Sequence, residues 1–206
     1  MRLQHIWVAG AVLVLAFSAH GATSAGAAGD PYPLSTCPVL GEKLDSMGDT
    51  VVAEYDGREV RFCCGACVAT FEEDKERYWA EIDEAIIEQQ MPYYPLDVCL
   101  NSGQPLDAMG EPVDFVYRNR LVRFCCTGCQ SAFEEDPADM LAKLDEAVVE
   151  AQKPAYESET CPVMDVELGA MGGAVDYVVA NRLVRLCCAG CTNSVHRNPL
   201  DYLDIE

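Results

Sequence analysis

Histidine is nearly missing from this chain, with three residues in 206. His5 and His20 fall in the N-terminal apolar region, which leaves His196 alone in the remainder. No histidine can recur as a general base or as a shared metal ligand, and His196 is expected on a helix surface. Basic residues are scarce: 14 Lys and Arg stand against 34 Asp and Glu, a formal charge of −20. So acidic a surface repels phosphate backbones and argues against nucleic acid as a partner. It can concentrate cations, although plain solubility accounts for most of these carboxylates. A glycine-rich phosphate loop and a Ser-His-Asp constellation are both missing. No hydrolytic or transfer enzyme is visible, and the chain reads as non-enzymatic. Beyond Phe17 there is no further long apolar run, so no transmembrane helix is expected there.

The N-terminus has the composition of a secretory signal peptide, assigned to residues 1–24. Arg2 precedes an apolar run of 12 residues, Ile6 to Phe17. Ala19-His20-Gly21 and Ala25-Gly26-Ala27 offer small-residue cleavage motifs. An uncleaved anchor or a buried helix is the competing reading. Leu34-Ser35-Thr36-Cys37 is a poor lipoprotein box because Thr36 fits badly and the site lies far past the run. The expectation is a periplasmic or secreted protein with no membrane association after cleavage.

What the chain does have is 12 cysteines, in a register with no gap. Cys37, Cys99 and Cys161 are 62 residues apart. So are Cys63, Cys125 and Cys187, then Cys64, Cys126 and Cys188, then Cys67, Cys129 and Cys191. Leu44, Leu106 and Leu168 recur with them, as do the pairs Met47-Gly48, Met109-Gly110 and Met171-Gly172. Arg58, Arg120 and Arg182 align, and so do Arg61, Arg123 and Arg185. Self-similarity at a fixed period signals a repeat architecture. The three copies are placed at 31–92, 93–154 and 155–206. Copies one and two share Phe-Glu-Glu-Asp at Phe71 and Phe133, where copy three has Val195-His196-Arg197-Asn198.

Each copy is expected to be α+β: a β-hairpin followed by helices around its cysteines. In copy one, Val51 to Tyr55 and Arg58 to Phe62 read as strands joined at Asp56-Gly57, a turn needing positive φ. Asn119 and Asn181 replace that glycine, and asparagine tolerates the conformation. The cysteine cluster then opens a helix running through Phe71. A second helix carries Trp79, Ile82, Ala85 and Ile86 as an apolar stripe. Pro137 and Pro199 suit first helical turns, and Met91-Pro92 and Lys153-Pro154 end the first two second helices. Copy three has only a short last helix. Units of about 50 to 60 residues are marginal for a hydrophobic core alone and are usually supplemented by metals or disulfides.

Four cysteines per copy suit a tetrahedral thiolate site. Cys64-Gly65-Ala66-Cys67 places two sulfurs on one side of a helical turn, at an N-terminus that favours thiolate. Arg61, Arg123 and Arg185 either offset thiolate charge or line a solvated strand face. Each copy resembles a YHS or TRASH domain, a small metal-binding module related to treble-clef zinc ribbons. The resemblance rests on Cys37-Pro38-Val39-Leu40-Gly41, Phe62-Cys63-Cys64-Gly65-Ala66-Cys67 and Phe71-Glu72-Glu73-Asp74, with Phe133-Glu134-Glu135-Asp136-Pro137 complete in copy two. It implies metal sensing, trafficking or resistance. It also implies Cys37, Cys63 and Cys67 as shared ligands, with Cys99, Cys125, Cys129 and Cys161, Cys187, Cys191 as their equivalents. The sequence departs from the pattern in four ways. Twenty-five residues separate Cys37 from Cys63; Cys64, Cys126 and Cys188 are extra; Cys99-Leu100-Asn101-Ser102-Gly103 lacks the proline; and Asp165 stands where copy one has Gly41.

Two coordination models follow, each with one ion per repeat. Four thiolates could close around Zn²⁺, or two or three could hold Cu(I), a soft ion suited to sulfur. Met47, Met109 and Met171 would then either add a thioether or simply fill core space. The partners implied are metal ions and a metal-transport protein or metalloenzyme that exchanges them. Two alternatives remain: a disulfide-framed extracytoplasmic scaffold, and a thiol oxidoreductase using Cys64 and Cys67.

Overall fold

Alternating apolar residues interrupted by a turn dipeptide produce the same hairpin three times. The computed structural model describes residues 23–24 and 29–203. Strands β2 (Val51–Tyr55) and β3 (Arg58–Phe62) pair antiparallel, with Val51 opposite Phe62. Strands β4 (Val113–Tyr117) and β5 (Arg120–Phe124) repeat that register, as do β6 (Val175–Val179) and β7 (Arg182–Leu186). Both central residues of every turn have positive φ: Asp56 and Gly57, Arg118 and Asn119, Ala180 and Asn181. That is the pairing a twisted two-residue hairpin loop demands. The proposed signal segment lies outside the described residues except for Thr23 and Ser24. These two form a short strand, β1, parallel to β6.

Helices follow each hairpin. In copy one they are α1 (Gly65–Glu73) and α2 (Lys75–Gln90), with Asp74 capping α2 by accepting the Arg77 amide. In copy two they are α3 (Thr127–Glu135) and α4 (Pro137–Gln152), with Pro137 in the first turn. Copy three has a single turn at Ala189–Cys191, then α5 (Thr192–Arg197) and a turn at Pro199–Asp201. Short turns at Met91–Tyr93 and Lys153–Ala155 end α2 and α4 at their prolines. The molecule is therefore α+β, with three repeats of hairpin and helices. Among the described residues no helix is long and apolar enough to cross a membrane.

The buried stripe of α2 is Tyr78, Ile82 and Ile86. The expected stripe gains Tyr78, which turns fully inward, while Trp79 packs half-buried against the same core beneath the Arg58 guanidinium, 4.2 Å from its ring centre. Phe71 packs edge-on against Phe62 and Trp79. Phe133 does the same work in copy two with Phe115 and Tyr117, and Val195 fills the place in copy three.

The copies share walls. Val116 enters the core of copy one, while Val178 and Leu183 enter that of copy two. Leu200 packs against copy one, and the Arg61 Nη2 donates to the His196 carbonyl at 3.3 Å, so copy three also touches copy one. A repeated amide bridge joins neighbours. Gln90 donates to the Asn119 carbonyl and accepts the Leu121 amide, both at 2.9 Å. Gln152 treats Asn181 and Leu183 the same way, at 2.9 and 2.8 Å. Burying these amides is tolerable because each has partners.

Candidate metal centre

The first cysteine of each copy sits on a tight knuckle. Its amide donates to the carbonyl five residues on, Glu42, Gln104 or Val166, at 2.7 to 2.8 Å. Its own carbonyl accepts the amide of Gly41, Gly103 or Asp165 at 2.8 Å. That amide belongs to a left-handed residue: φ is 69° at Gly41, 68° at Gly103 and 53° at Asp165. Asp165 thus preserves the knuckle, since aspartate is among the few side chains that visit this region readily. Leu44, Leu106 and Leu168 are buried behind the knuckles.

The hairpin delivers the other sulfurs. The second strand ends at Phe62, Phe124 or Leu186, and the next residue is Cys63, Cys125 or Cys187. A helical turn later come Cys67, Cys129 and Cys191. In each copy the Sγ atoms of the knuckle cysteine, the strand-end cysteine and the helix cysteine all lie within 4.8 Å of one another. Cys63 and Cys67 are 3.8 Å apart, Cys125 and Cys129 3.8 Å, Cys187 and Cys191 3.7 Å, and Cys161 and Cys191 3.9 Å. Four sulfurs at about 2.3 Å from a zinc ion would be separated by about 3.8 Å, so the spacing suits a thiolate-bound ion. It is far too long for covalent S–S bonds, and all twelve cysteines are free thiols.

Cys64, Cys126 and Cys188 stand apart from these trios. They are half-buried N-cap residues of the turn that follows each hairpin. Cys64 Sγ lies 3.3 Å from Cys67 Sγ, and Cys188 Sγ lies 3.6 Å from Cys191 Sγ.

Protonation splits the sulfurs into two sets. Burial raises Cys37 and Cys161, but backbone N–H groups around them and the neighbouring Cys63 or Cys187 thiol outweigh it and leave both below the ordinary thiol range. Cys99 is held lowest, at about 6: its burial is overcome by the Ser102 hydroxyl and the amides of Ser102, Cys125 and Asn101. Cys64 is lowered by the Cys67 thiol and amide, Cys126 by the Cys129 amide and thiol, and Cys188 by the Cys191 thiol and amide. Burial raises Cys63, Cys187, Cys67 and Cys191, and it pushes Cys129 up to about 12. The sulfurs pushed up hold their protons more firmly than the sulfurs held low beside them. A cation in the cluster would take the place of those protons.

No family model, curated protein or solved structure matches this chain. The functional reading therefore stands on the sulfur geometry and on the residues around it.

Two expectations are corrected. Met47, Met109 and Met171 do not fill core space, being 63%, 73% and 61% exposed. The positive φ of Gly48, Gly110 and Gly172 turns the chain directly after them, and the side chains project outward. Arg123 and Arg185 neither offset thiolates nor line a solvated face. They bind the carboxylates directly across the hairpin, Asp114 at 2.6 Å and Asp176 at 2.8 Å. Arg61 faces Val52 instead and takes Glu59, two residues away on its own strand, at 2.7 Å. His196 is half-buried in α5 and offers its carbonyl to Arg61.

The sequence reading overlooked one recurrent residue that braces these strands. Tyr32, Tyr94 and Tyr156 share the 62-residue register. The Tyr94 and Tyr156 hydroxyls accept the amides of Arg123 and Arg185 at 3.2 and 3.3 Å, two residues before the strand-end cysteines. The Tyr32 hydroxyl donates to the Thr36 carbonyl beside Cys37 at 3.1 Å. A cleft of about 490 Å³ in copy three, bounded by Tyr156, Glu159, Glu167 and Arg185, contains no cysteine and is separate from the cluster.

Proposed function

We propose that this is an exported metal-binding protein that holds one soft transition-metal ion, Zn²⁺ or Cu(I), in each of its three cysteine clusters. Trafficking, storage or resistance is the role such a protein would serve. A transporter or metalloenzyme would be its exchange partner, and the YHS or TRASH resemblance points the same way. The observation that carries the reading is the threefold recurrence of a buried sulfur trio within 4.8 Å. Sulfur-only donor sets favour Zn²⁺ and Cu(I) over hard cations. Burial of the trio inside each small core couples metal binding to folding. The outer cysteines Cys64, Cys126 and Cys188 would supply a fourth thiolate for a closed zinc site. Without them the site remains three-coordinate, as copper(I) accepts.

Anaerobic purification of the mature chain, followed by metal analysis and thiol titration, tests the reading. The expected result is one equivalent of zinc or copper per repeat, with thiols that become titratable only after chelation. A metal-free chain whose thiols are already oxidised would sink it and favour the disulfide scaffold.

A further inference from the structure

We propose that the pairs Cys64–Cys67, Cys126–Cys129 and Cys188–Cys191 are thiol–disulfide exchange sites whose oxidation by a small disulfide expels the metal ion beside them. The proposal rests on the metal-binding reading and adds a release step to it.

Two properties meet at one sulfur. The helix cysteine (Cys67, Cys129 or Cys191) belongs to the compact trio. It is also the neighbour of an outer cysteine that lies outside the trio and is partly open to solvent. In copies one and three that contact is 3.3 and 3.6 Å. The pair spans one turn, where residues three apart stand side by side. The knuckle and strand-end cysteines, Cys37 and Cys63 with their equivalents, are buried and offer an incoming disulfide no open sulfur. Attack from solvent is therefore directed to the outer position in copies one and three, and to the Cys126–Cys129 pair, both partly open, in copy two. The residues between the pair are small: Gly65-Ala66, Thr127-Gly128 and Ala189-Gly190. In copies two and three the outer sulfur lies over the glycine, 3.9 and 3.7 Å from where a Cβ would be, an ordinary contact distance.

The exchange balances without a further reagent. The Cys64 sulfur loses its proton and attacks one sulfur of the small disulfide. That S–S bond breaks, a first thiolate leaves and takes up the proton, and a mixed disulfide forms. The Cys67 sulfur then attacks the Cys64 sulfur, the mixed disulfide breaks and a second thiolate leaves. Two electrons pass from the two cysteines to the small disulfide. Cys67 can no longer donate as a thiolate, and the ion keeps only Cys37 and Cys63 from its trio.

The test uses the full mature chain, loaded with zinc and exposed to glutathione disulfide without oxygen. Zinc release is followed with a colorimetric chelator, and disulfides are mapped by mass spectrometry. The expected map contains Cys64–Cys67, Cys126–Cys129 and Cys188–Cys191, appearing in step with zinc loss. In a Cys64→Ser, Cys126→Ser, Cys188→Ser variant that still loads zinc, the release that glutathione disulfide adds to what the chelator alone draws out should fall at least about tenfold, because no outer thiol remains to start the exchange. Unchanged release from that variant would overturn the proposal, as would a wild-type map dominated by bonds to Cys37 or Cys63. If the variant holds no zinc, the wild-type map and its timing decide. A wild-type chain that takes up neither zinc nor copper(I) would overturn the metal-binding reading and the release with it, while the map would still report on exchange alone.

Discussion

At the scale of single residues, the clusters differ less in their sulfurs than in what surrounds them. Copy two has Ser102 where copies one and three have Leu40 and Met164. Its hydroxyl lies 3.4 Å from Cys125 Sγ and also stabilises the Cys99 thiolate, which holds Cys99 at about 6. Because its folded pKa lies below the usual thiol value near 8.5, Cys99 adds stability that is fully present above that value. The contribution is lost as pH falls through about 6. The metal-free chain should therefore become more stable across that window as pH rises, and Ser102→Ala should flatten the rise by returning Cys99 toward the ordinary value. Thermal melts of reduced, metal-free protein at several pH values would check this, and an identical profile in the variant would count against the assignment. The exposed methionines make a different point. Met47, Met109 and Met171 recur as faithfully as the core leucines, yet burial separates the two sets completely. Recurrence marks constraint without saying on which side of the surface it acts.

At the scale of elements, the hairpin turn does two jobs in copies two and three. Asn119 adopts positive φ and is also fully buried. Its Nδ2 donates to the Glu59 carbonyl at 2.8 Å and to the Asp30 carbonyl at 3.1 Å, and its Oδ1 accepts from Arg58. Asn181 repeats the first of these bonds with Leu121 at 2.9 Å. Copy one has glycine at this place, and a Cβ at Gly57 would come within 3.0 Å of the Arg118 guanidinium. Asn119→Gly should keep the turn, because glycine favours the conformation. It should nonetheless cost about 1–3 kcal/mol by stranding buried partners. Urea denaturation would measure it, and a neutral result would reduce Asn119 to a turn former. The sequence showed the hairpins, the cysteine-led helices and the repeat, because periodicity, turn chemistry and register are local signals. It did not show that Gln90, Asn119 and Asp145 are buried, since each looks like an ordinary polar surface residue until the next copy covers it. The 62-residue register held the clue: Gln90 recurs as Gln152 and Asp83 as Asp145. Tyr32, Tyr94 and Tyr156 were legible in the same way.

At the scale of the whole molecule, one arginine ties copies two and three to the entry of copy one. Arg120 lies fully buried at the start of β5. It pairs with Asp145 of α4, with both oxygens of Asp30 at 2.9 and 3.0 Å, and with the Val178 carbonyl of copy three at 3.0 Å. Asp30 reaches further, accepting the Ala180 amide at 2.6 Å. Copy one has the simpler pair Arg58–Asp83 at 2.6 Å, and in copy three Arg182 stacks on Tyr93 instead. Replacing Arg120 by methionine leaves two carboxylates buried without their cation, which should cost about 3–5 kcal/mol. Because the contacts of Arg120 reach copy three and Asp30 at the entry to copy one, the loss should not be confined to copy two. Trp7 lies in the proposed signal segment, so Trp79 is the sole tryptophan after cleavage there and reports on copy one. Unfolding followed by Trp79 fluorescence should coincide with unfolding followed by circular dichroism, and Arg120→Met should lower both midpoints together. If the fluorescence midpoint stays fixed while the dichroism midpoint falls, copy one unfolds independently and the buried polar junction does not couple the copies. Coincident shifts would mean that the three cysteine clusters share one folding unit, so the state of any one cluster bears on the stability of the other two.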